Sequence, residues 1–178
     1  MKEEKSSLRV IMEIVEIIVI AFALSWLLRT FVIEARYVPT GSMLTTIQLN
    51  DRLAVDKIFF KYVSDIKRKD IVVFKPPPEA HAQDDYIKRV IGLPGEKIEI
   101  IDHITYINDE PLDEPYVDEP AASNYGPVYV AQGCLFVMGD NRNDSADSRV
   151  WGLLPIENVT GRALFCYWPV SHVGRLRS

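Results

Sequence analysis

Ser42 stands behind a glycine in the turn-forming run Pro39-Thr40-Gly41-Ser42-Met43, just past a long apolar stretch. A serine hydroxyl becomes a useful nucleophile only beside a base. His81, His103 and His172 are scattered and lack the HExxH spacing of a zinc helix, so no metal is expected and an amine is the alternative base. A lysine at its ordinary pKa near 10.4 is neutral in about one molecule in two thousand at pH 7. Burial among apolar groups lowers that value by several units and makes the amine a competent base. Lys88 is the candidate, because it lies within the β-type run Tyr86-Ile87-Lys88-Arg89-Val90-Ile91 and not on a polar loop. On a strand it shares a face with Tyr86 and Val90, whereas Arg89 shares the other with Ile87 and Ile91. Alternation alone does not say which cation is buried. A third stretch, residues 139–149, is too polar for core and reads by itself as an Asx-rich turn.

The elements that must position these groups begin with residues 14–33, long enough as a helix to span a bilayer of about 30 Å. Only Glu16 and Arg29 are charged there, each near an end. Lys2, Lys5 and Arg9 with Ala21-Phe22-Ala23 also fit a cleavable signal peptide, but the apolar run continues through Leu24, Trp26, Leu27 and Leu28, which favours an uncleaved anchor. Basic residues on the two flanks nearly balance, so charge bias leaves the orientation open. Beyond the anchor the pattern turns to short strands: Leu53 with Val55, then Ile71-Val72-Val73-Phe74 closed by three prolines, and residues 86–91 stopped at Gly92-Leu93-Pro94-Gly95. Residues 96–130 read as an inserted β satellite, with strands at 97–100 and 105–107, a hairpin turn at Asn108-Asp109, and a polar loop through Pro127. Core returns at Leu135-Phe136-Val137-Met138 and ends in a strand over 163–168.

Composition narrows the classes. At 178 residues and 48% hydrophobic content the chain has room for one sizeable core with a satellite. Of its net charge of −5, residues 96–130 carry nine acidic residues against one lysine, leaving 19 basic and 16 acidic residues elsewhere. That balance offers no basic stripe for nucleic acid, and the acidic segment reads as solvated surface. Cys134 and Cys166 sit singly in apolar runs and read as buried thiols.

Pro39 to Met43, then Lys88-Arg89-Val90-Ile91-Gly92-Leu93-Pro94-Gly95-Glu96, then residues 139–149 followed by Trp151-Gly152 resemble, in this order, the motif set of bacterial type I signal peptidases. The resemblance runs from the anchor to the last strand. It implies a membrane-bound serine endopeptidase that removes signal peptides from exported preproteins through a Ser-Lys dyad. The implied fold is mainly β: an antiparallel catalytic domain over 34–95 and 131–178, a smaller β subdomain over 96–130, and one transmembrane helix over 14–33. Residues 1–13 are then cytoplasmic and the catalytic domain lies on the far side of a bacterial cell membrane, as a monomer without cofactor or metal. Carried over residue by residue, Ser42 matches the nucleophile and Lys88 the general base. Thr40 matches the hydroxyl that completes an oxyanion hole with the Ser42 main-chain NH, and Ser145 the serine that holds the amine. Asp147 and Arg149 match a supporting ion pair, and Met43 a position beside substrate and membrane. Two departures stand out: Thr45-Thr46 where the family usually has Pro-Thr, and Asn143-Asp144 in inverted order. A self-cleaving repressor resembles the same architecture but carries a DNA-binding segment where this chain has its apolar anchor. A peptide-binding module without catalysis would have no need of Ser42, Lys88 and Ser145 together.

Overall fold

The computed structural model describes residues 2–31, 33–62 and 65–176, with the side chains of 2–8, 27–31, 59 and 61 excepted. Helix α1 (Lys2–Phe31) is followed by strands β1 (Ile33–Tyr37) and β2 (Arg52–Asp56), a single turn α2 (Phe59–Tyr62), then β3 (Ile71–Phe74) and β4 (Tyr86–Gly92). Strands β5 (Lys97–Ile101), β6 (Ile104–Ile107), β7 (Glu110–Pro111) and β8 (Tyr125–Tyr129) come next. The chain closes with β9 (Cys134–Met138), the turn α3 (Ser148–Trp151), β10 (Leu154–Pro155), β11 (Val159–Trp168) and β12 (Gly174–Arg175). The large sheet has the order β1-β2-β11-β3-β4-β9-β10 with β12 on β11; β7-β6-β5-β8 form a separate four-stranded sheet. Every pairing is antiparallel.

Strand β3 explains why the large sheet reads as unbroken apolar runs. Ile71 and Val73 join Val38, Met43, Ile47, Leu53 and Val55 on one face. Val72 and Phe74 join Val90, Leu135, Val137 and Trp151 on the other. A strand covered on both faces has no polar side to alternate with, and each such side chain fully buried stabilises by about 1.5–3 kcal/mol. On β9 the same alternation sends Phe136 and Met138 into a third cluster with Ile91, Ile98, Ile100 and Ile107, which seats the small sheet against the large one. Cys134 and Cys166 are free thiols, the second of them buried.

Three expectations change. The anchor was expected over 14–33, but α1 ends at Phe31 and Ile33 opens β1, while Val32 lies outside the described residues. Among the described residues no helix is long and apolar enough to cross a membrane. The acidic segment is not simply solvated: Tyr116 is fully buried, and Glu114 is largely covered in an ion pair with Arg142. Finally, the polar loop expected through Pro127 contains β8, whose Gly126 (φ 90°) and Pro127 disguise it. Such residues are tolerated on an edge strand, and β8 is one.

Candidate active site

Lys88 and Arg89 follow one another on β4, with 4% and 0% of their surfaces exposed. Strand alternation sends them to opposite faces, and because both faces are covered, both cations are buried. Arg89 meets a carboxylate: its Nε and Nη2 donate to Asp140 Oδ1 and Oδ2 at 2.8 and 2.7 Å, and its guanidinium carbon lies 3.8 Å from the centre of the Tyr116 ring. Lys88 Nζ instead donates to Ser42 Oγ at 2.7 Å and to Ile87 O at 3.2 Å. Burial pulls its pKa down to about 8; Asp147 and Asp140 push the other way without overcoming it, and Arg149 assists the fall. Once deprotonated, the same amine can accept a hydrogen bond from the serine hydroxyl over the same 2.7 Å.

Ser42 sits in the turn that leads out of β1. Leu44 N donates to Gly41 O and Ile47 N to Met43 O at 3.1 and 2.9 Å. Met43 and Ile47, exposed by 1% and 0%, pin this turn into the core. Met43, expected beside substrate, is thus a core residue that also walls the cleft. The 139–149 loop holds the serine from the far side. Asn141 N donates to Ser42 O and Asn141 Nδ2 to Gly41 O, both at 3.2 Å. Gly139 N donates to Asp147 Oδ2 at 3.0 Å, and Asp147 is doubly bonded to Arg149 at 2.8 and 2.7 Å. The expected Asp147–Arg149 pair is therefore formed, with Asp147 also capping α3. Ser145, expected to hold the amine, makes no hydrogen bond to it; its buried Oγ has no partner and packs beside Gly139. Thr40 is exposed on the cleft wall two residues before Ser42. Thr45, standing where the resemblance leads one to expect proline, donates from Oγ1 to Asp118 of the acidic segment at 2.7 Å.

Between these pieces runs a cleft of about 460 Å³, walled by residues 37–43 on one side and 82–88 on the other, with Asp144 and Ala146 at its rim. One wall is an unpaired strand edge. Val90 N and O bond to Asp70 and Lys69 on the β3 side, so by the period of two the main-chain groups of Arg89 and Ile87 face away from β3. β9 pairs with Arg89 through Met138 and ends there, which leaves the NH and C=O of Ile87 turned to the cleft. The arrangement offers an extended peptide a strand to pair with, and a hydroxyl beside a partly neutral amine at its end.

Residues 11–168 match the family model described as signal peptidase, peptidase S26. Among curated proteins, the chain is 45% identical to a probable signal peptidase I-2 of Synechocystis sp. over 93% of its own length and 77% of that protein's. It is 42% identical to a signal peptidase I of Leptolyngbya laminosa, over 93% and 84% of the two chains. With a signal peptidase I of Bacillus licheniformis it shares 37% identity over 97% and 98%.

Gly139, which the sequence reading did not single out, tests this geometry. A Cβ there would lie 2.3 Å from the Ser42 carbonyl oxygen and 2.3 Å from Ser145 Oγ, so the backbone of Ser42 has to move. A displacement near 1 Å costs about a hundredfold in rate. Gly139→Ala is expected to lower kcat for peptide hydrolysis by about that factor, with an unchanged far-UV circular dichroism spectrum; a kcat within twofold of the parent would contradict the packing described.

Proposed function

The chain belongs to the signal peptidase family, peptidase S26, and we propose that it removes signal peptides from preproteins by acyl transfer through Ser42, with Lys88 as general base. The observation that carries this reading is the 2.7 Å contact between a serine hydroxyl and a buried amine whose pKa is near 8. Neutral Lys88 takes the proton as Ser42 Oγ attacks the scissile carbonyl, and the resulting ammonium protonates the leaving amine. The same amine then activates the water that releases the acyl group. Thr40 Oγ1 and the Ser42 NH form the oxyanion site, where one donor is worth about 2.7–4 kcal/mol. Asp147 and Arg149 fix the loop behind the serine, and the open edge at Ile87 binds the peptide as an added strand. Residues 96–130, with their own sheet, form the subdomain inserted between the two parts of the catalytic domain.

The anchor belongs to the same proposal: the described side chains of α1 end at Trp26, short of a full span, and the apolar sequence continues through Leu27 and Leu28. α1 is 30 residues long, about 45 Å. Its Val10, Ile14, Ile17, Ile18, Phe22 and Trp26 are all more than half exposed, and residues 17–28 carry no charge. A bilayer is the solvent that suits such a surface. Residues 1–13 would stay in the cytoplasm and the β domain would act outside it. Expressed in bacteria, the protein should remain in the membrane pellet after a carbonate wash; release into the supernatant would remove the anchor from this account.

Purified in detergent and mixed with a preprotein, the parent should cut at one site. Ser42→Ala should abolish cutting and Lys88→Ala should slow it by about 10²–10⁴-fold; cutting at parental rate by either variant would refute the assigned roles. The pH profile follows from the same amine. The base works only when neutral, and Lys88 is protonated below about 8. Activity should thus rise with pH through about 8, level off above it, and fall about tenfold per unit below it. A rate that stays flat from pH 9 to pH 6 would contradict a lysine base.

A further inference from the structure

We propose that the ion pair between Arg36 and Asp85 is a tie at the end of the substrate cleft away from Ser42, holding its two walls at the spacing an extended peptide needs. The proposal rests on the reading of the cleft given above and adds to it a residue pair that governs binding, not chemistry.

β1 and β4, which lead into the two walls, are three strands apart in the large sheet, and no ladder joins them. The sheet therefore brings them face to face without main-chain bonds across the gap. At one end the walls meet where Lys88 Nζ reaches Ser42 Oγ. At the other, Arg36, one residue ahead of the wall that begins at Tyr37, reaches Asp85 on the opposite wall, Nη1 to Oδ2 at 3.0 Å. Asp85 precedes Lys88 by three residues, which at about 3.3 Å per residue of strand puts the two bridges about 10 Å apart. That gap is the length of three residues of extended peptide.

Arg36 is itself held in place. Its Nε lies 2.9 Å from Glu34 Oε1, and Glu34 Oε2 lies 3.2 Å from Lys57 Nζ, so alternating charges run from just beyond β2 across β1 to the cleft. With 33% and 21% of their side chains exposed, Arg36 and Asp85 form a pair of the kind that contributes little to folding. Breaking it should leave the fold intact. What changes is the position of the 82–85 wall relative to the one carrying Ser42, and with it the affinity for the bound peptide.

The test separates KM from kcat. Arg36→Ala and Asp85→Ala should each raise KM for a preprotein by about fivefold, the ratio that about 1 kcal/mol represents. kcat and the pH midpoint near 8 should stay put, because neither side chain touches the reacting atoms. The swapped pair, R36D with D85R, should recover most of the parental KM. In a Ser42→Ala background, the Kd of an uncleaved signal peptide should rise by the same factor in each single variant. A KM and Kd unchanged by both single variants, a loss confined to kcat, or a swap no better than the single variants would overturn the tie. A parent that fails to cleave would instead sink the reading of the cleft, while the Kd series would still report on the tie itself.

Discussion

The site depends on how two adjacent cations are buried. Removing a charge from water is costly, and a protein has two responses: supply a counter-charge, or let the group lose its proton. Arginine holds its charge at any ordinary pH, so only the first is open to Arg89, and Asp140 with the Tyr116 ring provides it. Lysine can yield its proton, and Lys88 is given a serine hydroxyl where Arg89 is given a carboxylate. Asp147 and Asp140 are near enough to raise its pKa, yet neither forms an ion pair with it, and burial prevails. A carboxylate contact in place of that hydroxyl would favour the positive charge.

The surroundings of the pair serve its geometry. The turn at 41–47 is fastened below by Met43 and Ile47 and from the side by Asn141, while Asp147 fixes the loop that carries Asn141 through the NH of Gly139. The absence of a side chain at Gly139 allows that loop to lie directly against the serine's carbonyl. The inserted acidic segment contributes through Glu114, whose carboxyl would be raised by burial but is held below its usual range by the hydrogen bonds and charge of Arg142. Thr45 and Asp118 add a second link between the same segment and the turn that carries Ser42.

Much of this was legible in the letters. The compact β-branched run at 71–74 could be placed as a buried strand, and Asn108-Asp109 as a tight turn, because local preference and tertiary role agree there; both turn residues have positive φ, at 51° and 72°. Ser42 and Lys88 could be paired only because three separate stretches resembled one family, since strand alternation gave no preference between Lys88 and Arg89. Burial of both needed a sheet covered on both faces, which is a property of the assembled fold and of no single segment. β8 was missed because Gly126 and Pro127 satisfy edge geometry while violating strand composition. The roles of Gly139 and Asn141 are carried by main-chain groups and by lack of bulk, which side-chain chemistry does not advertise.

The contacts that make the site span long stretches of chain: 46 residues from Ser42 to Lys88, and 100 from Gly41 to Asn141. Closing such loops costs entropy that rises slowly with their length and must be met before the contact gives anything back, so contacts of high sequence separation form slowly. A nascent chain emerging from its N-terminus therefore exposes Ser42 well before Lys88, and Lys88 well before the loop that steadies them both. The contact between hydroxyl and buried amine is in this sense a report on completed folding: an unfinished or partly unravelled molecule has an ordinary serine and an ordinary solvated lysine.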